Sequence, residues 1–174
     1  MTNFKERLTG IDTFIFDMDG VLSYQTIPMI AGGIPGRTVN VRDGYAIQLA
    51  LRRDYNIAVI SGGYCDGYIK RLEGLGVVDI YMRSSSKREQ FNHFLAKCSA
   101  QKDSVLYMGD DIPDYGVMKM AGVAACPADA DSEIKAISDY ISDKRGGEGC
   151  VRDVIEQVLR LHGKWMNDDE AHSW

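Results

Sequence analysis

Asp17 and Asp19 stand two residues apart, immediately after the apolar run Phe14-Ile15-Phe16 and before Gly20. Ile11, Phe14, Ile15 and Phe16 read as a buried parallel strand. Two carboxylates just past its end lie where open α/β sheets bind ligands. Placed that close they repel each other unless a cation neutralises them or one is protonated. Mg²⁺ is the simplest such cation, because it takes carboxylate oxygens together with substrate phosphates. The chemistry suggested is metal-assisted phosphoryl transfer. Asp-x-Asp-Gly after a strand is also ordinary turn chemistry, so these residues alone leave that alternative open.

Three more strand ends carry useful groups. Ile57 to Ile60 ends in Ser61-Gly62-Gly63, and Val105 to Met108 ends in Gly109-Asp110-Asp111, with Asp114 three residues on. Lys87 opens the helix that follows a third strand, Val77 to Met82. Each has an ordinary reading by itself: a turn, a helix cap, a solvated charge. In a parallel sheet, however, all four carboxyl ends converge on one edge. The roles then follow from charge. A carboxylate is the nucleophile, and Mg²⁺ held by Asp17 and Asp110 stops it repelling its substrate. Ser61, with N–H groups near Gly62 and Gly63, binds phosphate oxygens. Lys87 supplies positive charge, and Asp19 protonates the leaving alkoxide and then deprotonates the attacking water.

The elements that must position these groups alternate strand and helix. Asp43 is expected to cap a helix through Ala46, Ile47, Ala50 and Leu51. Tyr64 to Glu73, Lys87 to Cys98, Ile112 to Met120 and Glu133 to Ala136 read as further helices. Val123 to Cys126 is a fifth strand and Tyr140-Ile141 a short edge strand. Val151, Val154, Ile155, Val158 and His162 form one stripe of a closing amphipathic helix. This alternation specifies a parallel, Rossmann-like α/β sheet with right-handed crossovers. Tyr24 to Val41 holds Pro28, Gly32, Gly33, Pro35 and Gly36 between two arms, 26–30 and 38–41, and reads as a projecting β-hairpin flap. Residues 1–164 form a single expected domain; 165–174 form a polar tail with two tryptophans, either disordered or docked, with docking favoured because exposed tryptophan is unusual.

Composition narrows the function classes. The 174 residues are 45% hydrophobic and 26% charged, with a net charge of −5. No basic block is present, which argues against nucleic-acid binding. No run approaches the ~18 apolar residues of a membrane span, and Met1 to Gly10 lacks the apolar centre of a signal peptide. Cys65, Cys98, Cys126 and Cys150 form no C-x-x-C pair. Zinc and a disulfide framework are thus poorly supported, and reduced thiols in a cytoplasmic protein are the simplest account. His93, His162 and His172 are scattered.

Asp17-x-Asp19-Gly20-Val21, Ser61-Gly62, Lys87 and Gly109-Asp110-Asp111-x-x-Asp114 together resemble the haloacid dehalogenase superfamily of phosphatases. The resemblance implies Asp17 as nucleophile, Asp19 as acid and base, Asp110 as metal ligand, and the Asp19 backbone carbonyl as a further ligand. No stretch between the motifs is long enough for a large cap domain. Val41-Arg42-Asp43-Gly44-Tyr45-Ala46-Ile47, Ser84-Ser85-Ser86-Lys87 and Arg145-Gly146-Gly147-Glu148-Gly149 are similar to the capless 3-deoxy-D-manno-octulosonate 8-phosphate phosphatases. That likeness implies a sugar-acid phosphate substrate, lipopolysaccharide precursor synthesis, and a homotetramer whose flap partly covers a neighbouring site. Arg42 and Arg145 become candidate substrate contacts. Many relatives place an arginine after the strand-two Thr-Gly, where this chain has Gly63; Arg42, Arg83 or a neighbour's Arg37 are candidate replacements. The same motifs fit phosphatases of nine-carbon 9-phosphates of neuraminate type. A non-catalytic assembly module is a reading of another class, against which the intact Asp17, Asp19, Lys87 and Asp110 argue.

Overall fold

The computed structural model describes residues 4–172. In chain order the elements are α1 (Phe4–Leu8), β1 (Thr13–Phe16), β2 (Met29–Ile30), β3 (Ile34–Pro35), α2 (Val41–Arg52), β4 (Asn56–Ile60), α3 (Asp66–Gly74) and β5 (Asp79–Tyr81). They continue with α4 (Lys87–Cys98), β6 (Val105–Met108), α5 (Ile112–Met118), β7 (Val123–Cys126), α6 (Ser132–Ile137), β8 (Tyr140–Ile141) and α7 (Cys150–Leu161). Six strands form one parallel sheet in the order β5-β4-β1-β6-β7-β8, and β2 and β3 pair antiparallel as a separate hairpin. This is the Rossmann-like architecture the alternating pattern predicts.

The core explains why β1 is apolar throughout. Phe14 and Phe16 face one layer, packing with Ile47 and Leu49 of α2, Leu72 of α3, and Val154 and Val158 of α7. Ile15 faces the other, with Phe91 and Phe94 of α4, Val117 of α5 and Ile134 of α6. All four residues of β1 are buried, as period-two side chains must be when helices cover both faces.

Two local expectations are corrected. Asn40, not Asp43, caps α2: its side-chain oxygen accepts from the Arg42 and Asp43 N–H groups at 2.9 and 3.3 Å. Asp43 is instead buried in the first turn, where its carboxylate accepts from the Arg152 N–H at 2.7 Å and ties α2 to the start of α7. The second arm of the hairpin is Ile34–Pro35 rather than 38–41. Thr38 is drawn back to the base of the hairpin, where its N–H donates to Ser23 Oγ at 3.1 Å, and the Asn40 amide donates to the Gly147 carbonyl at 3.0 Å.

The segment after α7 folds against α2 and α7. Trp165 is buried, edge-on to Tyr45 with ring centroids 5.9 Å apart, and the Arg152 guanidinium lies 5.1 Å from its ring. Tyr45 donates its hydroxyl to the Ala171 carbonyl. Trp174 lies outside the described residues.

Candidate active site

The site is assembled where strands end. The Asp17 N–H still bonds the Met108 carbonyl, so the β1–β6 ladder fixes its backbone. Its Oδ1 accepts from the Met18 N–H at 2.7 Å, and Oδ2 lies 2.9 Å from Lys87 Nζ. The chain then reverses through Gly20, at φ +85°, whose N–H donates to the Ser23 carbonyl. β4 delivers Ser61, whose Oγ accepts from the Gly63 N–H at 3.0 Å. Ser86 caps α4, so Lys87 projects from its first turn. β6 delivers Asp110, and α5, capped by Asp111, presents Asp114 one turn on.

Asp17, Asp19, Ser61, Gly62, Lys87 and Asp110 all line one open cavity of about 880 Å³. On its floor Lys87 bridges two carboxylates, with Nζ 2.7 Å from Asp114 Oδ1 as well as 2.9 Å from Asp17. Asp114 Oδ1 also accepts the Tyr107 hydroxyl at 2.7 Å, and Oδ2 accepts the Asp110 N–H at 3.3 Å. Burial raises Asp17 to about 8, with Asp114 adding to the shift and Lys87 opposing it. Burial also raises Asp110 to about 7, again helped by Asp114. Burial alone would lower Lys87; Asp17 and Asp114 together more than offset it, holding the ammonium above its usual range.

These residues fit a hard divalent cation. Carboxylate oxygens of Asp17, Asp110 and Asp114 lie within 4.8 Å of one another. Asp110 Oδ1 is buried without a hydrogen-bond partner, which is costly unless a positive group meets it. Asp114 has given its oxygens to Lys87, Tyr107 and Asp110, so Asp17 and Asp110 hold the more open ligands.

Residues 71–154 match the haloacid dehalogenase-like hydrolase family. The chain is 35% identical over 163 residues to a 3-deoxy-D-manno-octulosonate 8-phosphate phosphatase of Salmonella typhi, spanning 94% of this chain and 87% of that protein. The chain belongs to this phosphatase family. The crystal structure of the Yersinia pestis 3-deoxy-D-manno-octulosonate 8-phosphate phosphatase superposes with a TM-score of 0.90 at 32% identity, covering 94% of this chain and 88% of that one. The Moraxella catarrhalis phosphatase, solved with magnesium, phosphate and KDO, superposes at 0.87 with 28% identity and 92% coverage of both chains.

Within this capless phosphatase frame, Arg42 and Arg145 sit differently from expectation, while Asp19 lines the cavity. The Asp19 carboxylate stands outside the metal cluster, because Arg37 binds both of its oxygens, Nε to Oδ1 at 2.7 Å and Nη2 to Oδ2 at 2.9 Å. Any contribution of Asp19 to a cation falls to its backbone carbonyl. Arg42 lines a separate groove with Tyr24, Asn40 and Glu148, not the cavity. Arg145 stays at the rim, its Nε 3.4 Å from Asp129, which does line the cavity. The glycines beside it have a structural reason. A Cβ on Gly146 would lie 1.9 Å from the Gly20 carbonyl oxygen, so that loop presses on the turn after Asp19.

Tyr107 and Arg37 are the polar partners that sequence reading left without a role in a single chain. Tyr107 hides its hydroxyl inside an otherwise apolar strand. Arg37, a candidate cation from a neighbouring subunit on sequence, reaches Asp19 of its own chain.

Proposed function

We propose that this protein is a cytoplasmic, Mg²⁺-dependent phosphatase of lipopolysaccharide precursor synthesis. It hydrolyses 3-deoxy-D-manno-octulosonate 8-phosphate to the free sugar acid and phosphate. The supporting observation is the Asp17–Lys87–Asp114 bridge beside the unpartnered Asp110 oxygen, on the floor of an open cavity.

Asp17 attacks phosphorus as the bond to the sugar oxygen breaks, giving an aspartyl-phosphate. Asp19 passes its proton to the departing alkoxide, then takes one from the water that attacks the phosphoryl group and releases Asp17. Lys87 keeps positive charge against Asp17 throughout and faces the phosphoryl oxygens. Ser61 and the N–H groups after it offer hydrogen bonds to the same oxygens. Asp17 and Asp110 would hold Mg²⁺, whose charge would offset that of nucleophile and phosphate. Arg37 fixes the orientation of Asp19. The exposed hairpin residues Met29 and Ile30 support a homotetramer in which the flap covers a neighbouring cavity.

The test compares phosphate release from 3-deoxy-D-manno-octulosonate 8-phosphate and from a neuraminate-type 9-phosphate, with Mg²⁺ and with EDTA. Faster Mg²⁺-dependent release from the 8-phosphate is expected, and Asp17→Asn is expected to abolish it. Preference for the 9-phosphate would move the protein to the nine-carbon branch. Release from neither would leave a non-catalytic assembly role.

A further inference from the structure

The hairpin brings a cation to the site that the mechanism above uses only as an orienting group. Arg37 binds both oxygens of Asp19 through Nε and Nη2, and Nη1 donates to the Tyr64 carbonyl at 3.0 Å. Its side chain is only 5% exposed, so the guanidinium is held inside the wall rather than in solvent. Three of its five N–H groups go to Asp19 and Tyr64, and the fork keeps donors for an anion even while it holds Asp19.

Gly63 shows where that fork stands relative to the cavity. Gly63 lines the cavity, and a Cβ there would lie 2.7 Å from Arg37 Nη2 and 2.7 Å from Asp19 Oδ2. The guanidinium therefore occupies the space that a side chain at position 63 would enter. The cavity is lined by seven aspartates and two cationic residues, Lys87 and Arg88. Lys87 is already shared between Asp17 and Asp114. Beside a cation at Asp17 and Asp110, a guanidinium fork would add directional donors that match phosphate geometry.

We infer that Arg37 is a substrate-binding residue of this site, offering its remaining N–H donors to the phosphoryl oxygens of the bound substrate while it holds Asp19. The inference rests on the phosphatase reading. It assigns the contact to a residue at the base of the same chain's hairpin, beside Asp19.

The experiment measures KM and kcat on the sugar-acid 8-phosphate, and the inhibition constant of inorganic phosphate, for wild type, Arg37→Ala, Arg37→Lys and the double variant Arg37→Ala/Gly63→Arg. In Arg37→Ala, KM and the phosphate inhibition constant are expected to rise about ten-fold or more, the scale of a lost charge-assisted hydrogen bond, while kcat falls less. Arg37→Lys should lie between, since it keeps charge without the fork. The double variant should recover part of the loss, because an arginine from position 63 enters the vacated space. A fall in kcat with KM and phosphate inhibition unchanged would overturn the inference and leave Arg37 as a positioning residue for Asp19. The two failures are separable: no turnover by wild type counts against the phosphatase reading, whereas wild-type turnover with unchanged Arg37→Ala binding counts against this inference alone.

Discussion

A methyl group on Gly20 would stand 1.9 Å from Oδ2 of Asp110, closer than any side chain can lie. The glycine that turns the chain after Asp19 is therefore also what lets the β6 carboxylate press against the β1 loop. Gly20→Ala meets two penalties. Its φ of +85° costs an L residue about 1–2 kcal/mol, and the Cβ must push Asp110 away from Asp17. Both a lower denaturation midpoint and a weakened Mg²⁺ requirement curve, shifted to higher metal concentration, are expected. Titrating activity against Mg²⁺ in this variant checks the second effect, and an unchanged midpoint for Mg²⁺ would show that Asp110 tolerates the displacement.

Among the described residues, Lys87 pairs with both Asp17 and Asp114, and all three are buried. Lys87→Met removes the charge while keeping the bulk of the stem. Two carboxylates are then left facing each other, one of which must take up a proton. Breaking a buried pair of this kind costs about 3 kcal/mol or more, against no more than about 0.5 kcal/mol for an exposed pair such as Lys144–Asp143. Urea denaturation of Lys87→Met and Lys144→Ala side by side should show that contrast, together with loss of turnover in Lys87→Met alone. Equal stability of the two would mean that solvent reaches Asp17 and Asp114 more freely than their burial implies.

The sheet was legible because burial on both faces leaves unbroken apolar runs, and because Asp17, Ser61 and Asp110 each stand just past the end of such a run. Asp17, Ser61 and Asp110 could be placed at one edge from topology alone. What was hidden depends on contacts between distant segments. Arg37 meets Asp19 only because the hairpin folds back on its own base. Asn40 takes the cap from Asp43 because Asp43 is pulled inward by the Arg152 N–H. Arg42 looks like a site cation in sequence, yet it begins α2 on the face that turns away from the cavity. Tyr107 reads as one more apolar strand residue, since only its hydroxyl, 2.7 Å from Asp114, is polar.

Asp43 sets a stability change below neutral pH. Burial raises its carboxyl to about 6 from an ordinary value of 3.8, opposed by the Arg152 N–H and charge. One oxygen accepts that N–H, and the other is buried without a partner. A folded-state pKa above the unfolded one contributes stability fully below about pH 4, and that contribution is lost as pH rises through about 6. Asp43→Asn keeps an acceptor for Arg152 and removes the ionisation. It is expected to be more stable than wild type at pH 7.5, by on the order of 2 kcal/mol, and to lose the advantage by pH 4. Denaturant melts of both proteins at the two pH values measure it; a constant difference would show that the carboxyl is not the titrating group.

Divalent metal should matter most for stability at the alkaline end of the range. Asp17 and Asp110 are raised to about 8 and about 7, so without added cation their contribution to stability is present below about pH 4 and is lost as pH rises through 7 and 8. A cation binds the ionised carboxylates and competes with those protons, so its affinity climbs over the same window. Mg²⁺ is therefore expected to raise the melting temperature strongly at pH 8 and little at pH 5.5. Asp110→Asn, which keeps the side-chain shape but removes one charge, should lose most of the pH 8 increment. Thermal melts with Mg²⁺ and with EDTA at the two pH values decide it. An increment of the same size at both pH values would place the bound cation away from Asp17 and Asp110.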